Sequence, residues 1–234
     1  VAPSPDRVPV AGFEIILDRL LAEYGPRGHR SLPALDELIL TVLSQNTSDL
    51  NCERAYRAMR ERYPAWEDVL AADPAELVKV LRPGGLANQK APRIQAILRR
   101  LAASEAGLDL EWLARLDPAD AMSFLTALPG VGAKTASCVL LFSLGVPVMP
   151  VDTHVHRIAL RLGLIGPRVT AGAAHPLLTA LTPPERMLEA HLLLIDHGRR
   201  ICKARRPLCP DCVLLDLCPF GQGQTSPTAA ASSA

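Results

Sequence analysis

Four cysteines near the end of the chain, Cys202, Cys209, Cys212 and Cys218, constrain its fold more than any other feature. Their C-x6-C-x2-C-x5-C spacing lets one compact loop surround a common centre. Three readings compete. A disulfide framework needs an oxidising compartment, and the sequence opens Val1-Ala-Pro-Ser-Pro-Asp without the cationic start and apolar core of a secretion signal, so a cytoplasmic setting is expected. Structural zinc suits four thiolates, but its usual ribbons pair two C-x2-C knuckles, and here only Cys209 and Cys212 form one. The x6, x2 and x5 spread suits the larger body of a 4Fe-4S cluster at least as well. Spacing alone therefore leaves zinc and cluster both open. Cys52 and Cys138 lie far off in apolar helical patterns and read as buried free thiols.

The residues around the first cysteine are strongly basic. From His197 to Cys209 the chain carries Arg199, Arg200, Lys203, Arg205 and Arg206 and no acidic residue. A clipped loop of that charge suits phosphates. The whole chain does not advertise such a partner, because its formal net charge is only +1, so any nucleic-acid contact must rest on local clustering. Aromatics make up 4%, which argues against a sheet platform that stacks single-stranded bases. With 234 residues, 49% hydrophobic and 21% charged, the chain is expected to be globular, with one large core or two modest ones. Its longest apolar stretch, Ala136 to Met149, is too short to span a membrane, so no membrane partner is expected.

Periodicity points to helices throughout. Leu35, Leu38, Ile39 and Val42 follow the i, i+3, i+4, i+7 rule, as do Ala121, Phe124, Leu125 and Leu128. Turn signals interrupt at Arg82-Pro-Gly-Gly-Leu86, Pro129-Gly-Val-Gly132, Gly145 to Pro150 and Thr182-Pro-Pro184, and no alternating run reads as a sheet. The fold class is all-α. Val1 to Val8 and the Gly/Ser/Thr/Ala-rich stretch 221–234 are expected to be loose.

Leu116 to Gly145 carries the second strong signal. Asp117 and Pro118 open a helix that is expected to run to Leu128, Pro129-Gly130-Val131-Gly132 stops it, and a second helix follows at once. Ala136, Val139 and Leu140 of that second helix are expected to pack on Phe124 and Leu128. So short a hairpin leaves the amides around Gly130, Val131 and Gly132 pointing outward at a helix N-terminus, which is an anion site. A glycine suits each place if the backbone must take positive φ or come close to a ligand. An ordinary helix–helix turn would show the same residues.

Leu128-Pro-Gly-Val-Gly-Ala-Lys-Thr-Ala136, then Pro150-Val-Asp-Thr-His-Val-His-Arg157, then the four cysteines together resemble the endonuclease III family of the helix-hairpin-helix superfamily of DNA glycosylases, over about Leu35 to Cys218. The resemblance implies a 4Fe-4S cluster on the cysteines. It also implies a helical barrel at residues 29–146, holding the hairpin at about 118–144, and a cluster domain made of residues 1–28 with 147–220, the two flanking a cleft. Its implied activity is that of a bifunctional glycosylase and lyase, removing oxidised pyrimidines from double-stranded DNA and acting on abasic sites. A monomer, in the cytoplasm with the nucleoid, is expected.

Residue by residue, Lys134 matches the family's nucleophilic lysine and Asp152 its essential carboxylate. An amine attacks a sugar C1′ only in its neutral form, so Lys134 is expected to sit partly desolvated near the start of its helix. Asp152 can stabilise positive charge developing on the sugar and help take protons from the amine. Taken singly, each residue is better read as a solvated helix lysine or an N-cap aspartate, and it is the joint pattern that reverses this.

Reaching a stacked base requires rotating it out and filling the hole. Ser44 to Asp49 resembles the family's polar wedge segment. Ungapped matching puts Asn46 at the usual glutamine position, which is a departure, with Gln45 beside it. Gly85-Leu86-Ala87-Asn88 resembles the second wedge loop, with Leu86 as the apolar plug. Lys203 and Arg205 are expected at phosphates. His154 and His156 read as lining a helix start rather than as a metal pair.

The alternatives are a monofunctional adenine glycosylase of the same superfamily, a mismatch thymine glycosylase, where a tyrosine usually takes the lysine position, and a non-catalytic DNA-binding redox sensor. Lys134 with Asp152 argues against each.

Overall fold

The computed structural model describes residues 10–225, and among them no strand occurs. The chain divides into two compact units, one formed by Arg30–Val146 and the other by Val1–His29 with Pro147–Ala234.

The unit at residues 30–146 contains α2 (Ala34–Ser44), α3 (Asp49–Arg62), α4 (Trp66–Ala71), α5 (Pro74–Leu81), α6 (Ala87–Ala102), α7 (Pro118–Thr126) and α8 (Ala133–Phe142); α1 (Val10–Tyr24) belongs to the other unit. Side chains cap several of these helices. The Asp73 carboxylate accepts from the amides of Ala75 and Glu76 at 2.9 and 3.1 Å, and Asp117 accepts from Ala119 at 2.9 Å. Packing centres on α2, which meets α3, α6 and α8. Leu38, Ile39, Val42 and Leu43 are fully buried there, each contributing roughly 1.5–3 kcal/mol of hydrophobic stabilisation. Ile94, Ile97 and Leu98 of α6 and Val139 and Leu140 of α8 are buried in the same unit.

In the other unit α1 packs on α11 (Met187–Arg200), and α9 (Thr153–Arg161) packs on α10 (Ala171–Leu181), α11 and α12 (Pro219–Thr225). Phe13, Ile16, Leu17 and Leu20 make the buried face of α1. Three histidines, His175, His191 and His197, are also buried in this unit.

Two sequence expectations change. The first hairpin helix ends at Thr126 rather than Leu128, and its Phe124 turns edge-on to Trp112, with ring centroids 5.1 Å apart; Ala121 and Leu125 form the buried face. The segment from 221 onward is not loose at its start, because α12 continues through Thr225 and the Gly221 amide donates to Cys218 Sγ at 3.3 Å. Val1 to Val8 and residues 226–234 lie outside the described residues.

Candidate functional site

Lys134 is the second residue of α8, immediately behind the hairpin, and is half-buried. It lines an open pocket of about 380 Å³ with Glu37, Asp49, Glu53, Cys52, Cys138 and Phe142. Cys52 and Cys138 are buried and in no disulfide, and burial pushes the Cys52 thiol up to about 11, so it is inert as a nucleophile.

In the hairpin, Gly130 has φ +71°, a conformation side chains rarely adopt, and an added Cβ would lie 2.5 Å from Arg93 Nε. Gly132 differs. Its φ is −98° and an added Cβ would meet nothing within 4 Å, so neither backbone nor packing demands a glycine there. Val131 does not fit the expected outward amide, because its N–H donates to the Leu128 carbonyl at 3.1 Å and its side chain is buried.

Asp152 caps α9, and both of its bonds, to the amides of His154 and Val155 at 2.8 Å each, fall on Oδ1. The cap therefore leaves Oδ2 out of its geometry. Residues 147–151, leading to it, are irregular chain pinned by side chains. The Met149 amide donates to Thr179 Oγ1 at 2.9 Å, His175 Nδ1 donates to the Met149 carbonyl at 2.9 Å and His191 Nδ1 to the Pro150 carbonyl at 3.0 Å. Lys134 belongs to the unit at residues 30–146 and Asp152 to the other.

Both wedge candidates stand in the left-handed backbone region, Asn46 at φ +53° and Leu86 at φ +51°. For residues with a Cβ this costs on the order of 1–2 kcal/mol each. Asn46 is exposed, and Leu86 is 44% exposed despite its apolar side chain. Gln45 is engaged at both ends of its amide. Its Oε1 accepts from Arg93 Nη1 at 2.8 Å and its Nε2 donates to Thr135 Oγ1 at 3.4 Å.

The four cysteine side chains line one largely apolar cavity, with Leu162, Ile201, Leu214 and Phe220 among its walls. Four thiols lining one apolar cavity are a donor set that suits a thiolate-bound centre, whether a zinc ion or an iron–sulfur cluster. Burial pushes the Cys212 thiol up to about 11 and holds Cys209 and Cys218 above their usual range.

The basic loop beside this cavity is built as a rigid clip. The Leu208 amide closes it onto the Ile201 carbonyl at 3.0 Å. Arg161 donates to Cys202 Sγ at 3.2 Å and to the carbonyls of Lys203 and Ala204, and stacks on Phe220. Arg157 reaches the carbonyls of Cys202 and Gly198. Lys203, Arg205 and Arg206 are left exposed, whereas Arg200 lies 3.8 Å from Asp196 and over the Tyr24 ring.

The histidine pair divides. His156 Nε2 donates to the Val169 carbonyl at 2.8 Å and so secures the turn after α9. His154 shares its Nδ1 with Arg157 and packs on Gly198, where a Cβ would come within 2.7 Å of the ring. Sequence reasoning missed His197, which meets the Tyr24 hydroxyl at 2.9 Å through Nδ1 and faces Cys212 Sγ at 3.7 Å through Nε2. Burial, with Arg157 nearby, lowers His197 to about 4. It also missed Lys90, Arg93, Arg157 and Arg161, single basic residues inside helices whose partners are distant in the chain.

A profile for HhH-GPD superfamily base excision DNA repair proteins matches residues 39–184. Endonuclease III of Thermotoga maritima is 37% identical over 204 residues, covering 87% of this chain and 91% of that protein. Endonuclease III of Sulfolobus acidocaldarius is 32% identical over 78% of this chain and 80% of its own. A solved structure of a trapped endonuclease III–DNA covalent intermediate superimposes with a TM-score of 0.81 at 29% identity, covering 94% of this chain and all (100%) of the other. The chain belongs to the HhH-GPD superfamily of base excision DNA repair proteins and, within it, to the endonuclease III family.

Proposed function

We propose that this protein is a bifunctional DNA glycosylase and abasic-site lyase that removes oxidised pyrimidines from double-stranded DNA. The observation that carries the reading is Lys134, an amine on the second residue of the helix behind the hairpin, beside a glycine whose outer face is open. Membership of the endonuclease III family, with a relative trapped in covalent union with DNA, supports it.

The neutral Lys134 amine attacks C1′ and the bond from C1′ to the base breaks, the base leaving with its electron pair and taking up a proton. The nitrogen then gives up a proton and the C1′–O4′ bond breaks, O4′ leaving with its electron pair and taking up a proton, so that the sugar ring opens to an imine whose 2′ hydrogens are acidic. Loss of one of them expels the 3′ oxygen, and the strand is nicked on the 3′ side. Asp152, through Oδ2, stabilises positive charge as it develops on the sugar and accepts protons from the amine. Asn46 and Leu86 fill the space vacated by the extruded nucleotide, and Gln45, already tied to Arg93 and Thr135, does not. The amides of Gly130 and Gly132 approach a phosphate, and Lys203 and Arg205 contact the backbone elsewhere.

Cys202, Cys209, Cys212 and Cys218 would hold a 4Fe-4S cluster, which would staple the basic loop and supply no bond-making step. Purified protein is then brown, with roughly four irons per chain, and Cys212→Ser loses colour and soluble yield. Stoichiometric zinc in protein purified without oxygen would overturn the cluster.

The test of the activity is incubation with duplexes carrying thymine glycol, dihydrouracil, oxidised guanine or uracil, with and without borohydride. The expected result is base release with a borohydride-trapped adduct on the oxidised pyrimidines. Release without an adduct would mean a monofunctional enzyme.

A further inference from the structure

Among the described residues Lys90 is the one buried lysine, 2% exposed, and the chemistry above leaves it unused. Its Nζ donates to the Leu43 carbonyl at 2.6 Å and to the Gly84 carbonyl at 3.0 Å. Leu43 sits in the last turn of α2, where carbonyls lack helical partners and the helix dipole favours a cation. Gly84 lies in the short 3-10 turn that opens the other loop. Three residues after Leu43 comes Asn46, and two after Gly84 comes Leu86, two of the three non-glycine residues at positive φ among the described residues, both with exposed side chains. The amide of Lys90 itself donates to the Leu86 carbonyl at 3.0 Å. One buried ammonium thus grips the backbone just before each strained position. A turn further along α6, Arg93 holds the Gln45 amide and lies against Gly130 of the hairpin.

Burying an ammonium is costly unless its hydrogen bonds are well placed, and an apolar residue would fill the same volume without that cost. What an apolar residue cannot do is hold two carbonyls from different loops at one point. We infer that Lys90 is a positioning residue that sets the loops at 45–48 and 84–86 as one unit, so that Asn46 and Leu86 are presented to a duplex together. This rests on the proposed glycosylase function. Arg93 still ties Gln45 to α6, but without Lys90 the carbonyls of Leu43 and Gly84 lose their common donor, and a displacement of about 1 Å at a reacting geometry can cost roughly 100-fold in rate.

The test is Lys90→Met, which keeps length and apolar bulk, measured by single-turnover assays on a thymine glycol duplex and on a duplex with a ready-made abasic site. Excision of the stacked lesion should fall roughly 10- to 100-fold, while abasic nicking changes less than about 3-fold, since little extrusion is needed there. Amide hydrogen exchange should quicken in both loops together. Equal losses on the two substrates would make Lys90 merely structural and overturn the inference, as would unchanged rates and exchange. If Lys90→Met does not fold, Lys90→Arg, which keeps the charge but moves the donors, serves the same comparison. If wild-type protein excises no damaged base, the functional reading falls, and the exchange measurement still decides whether Lys90 couples the loops.

Discussion

The unit at residues 30–146 and the one that carries Asp152 each hold one of the two side chains proposed to react, and they fix it by different means. Lys134 rides on the first turn of α8, whose inner face, Ala136, Val139 and Leu140, is fully buried. Its position follows from helix geometry and apolar packing. Asp152 sits where irregular chain enters a helix, and residues 149 and 150 just before it are held by Thr179, His175 and His191. A residue carried by a helix inherits its placement. One carried by irregular chain needs polar side chains to hold the backbone, and imidazoles that do so bring titration with them.

The sharpest way to break this comparison is to remove each reactive group in turn. Lys134→Ala should abolish borohydride trapping and reduce nicking by several orders of magnitude, while duplex binding persists because the hairpin is intact. Asp152→Asn keeps an oxygen at the cap, so helix stability should hardly change, yet base release should fall by roughly 100-fold or more. On a ready-made abasic site that variant should retain far more activity, since Lys134 can condense with the open aldehyde. If Asp152→Asn loses both activities equally while still binding abasic DNA, Asp152 serves mainly as a proton acceptor for Lys134, and the division of roles between the two residues is wrong.

A smaller effect is expected from the basic loop. Lys203→Ala with Arg205→Ala should weaken binding to damaged and undamaged duplexes alike and lower the salt slope by about 1 for each phosphate no longer neutralised. An unchanged slope would make the clip around Cys202 a solvated face. Leu86→Ala should instead spare affinity and slow turnover on stacked lesions, by roughly 10-fold.

What the sequence made legible follows a physical division. Proline and glycine at 118, 129, 130 and 132 bound the hairpin helices, and cysteine spacing marks the loop at 202–218, because these signals are local in the chain. Lys134 and Asp152 are proposed as a pair only through motif order, since a helix lysine and an N-cap aspartate each have a plain structural reading. Lys90 and His175 were invisible, since each bonds to a carbonyl 26 or more residues away along the chain, at Leu43 and Met149, and no periodicity encodes such a partner. Asn46 could be placed at a wedge position, but not its positive φ, nor the capture of Gln45 by Arg93. The helical start of the C-terminal segment was missed because Gly221 and its neighbours have loop composition, and it is packing against Cys218 and Leu215 that holds them.

The smallest effect should come from His175. Burial lowers its pKa below 6.5, and the bond to the Met149 carbonyl only partly opposes this. In the folded protein the ring therefore stays neutral at a pH where the unfolded chain already binds a proton. Stability should fall as the pH drops from about 6.5 towards the depressed folded value, then level off with respect to this group. His175→Asn places an amide donor near the position of Nδ1 and removes the titration, so the difference in Tm between variant and wild type should shift in favour of the variant as the pH falls through that window. Lys134-dependent trapping on abasic DNA supplies the contrast, since among the described residues the buried histidines all lie in the aspartate-bearing unit. If the two proteins lose stability in parallel, His175 is not the group that makes the aspartate-bearing unit acid-sensitive. The comparison would then rest on hydrogen bonding to residues 149 and 150 alone, without its pH dependence.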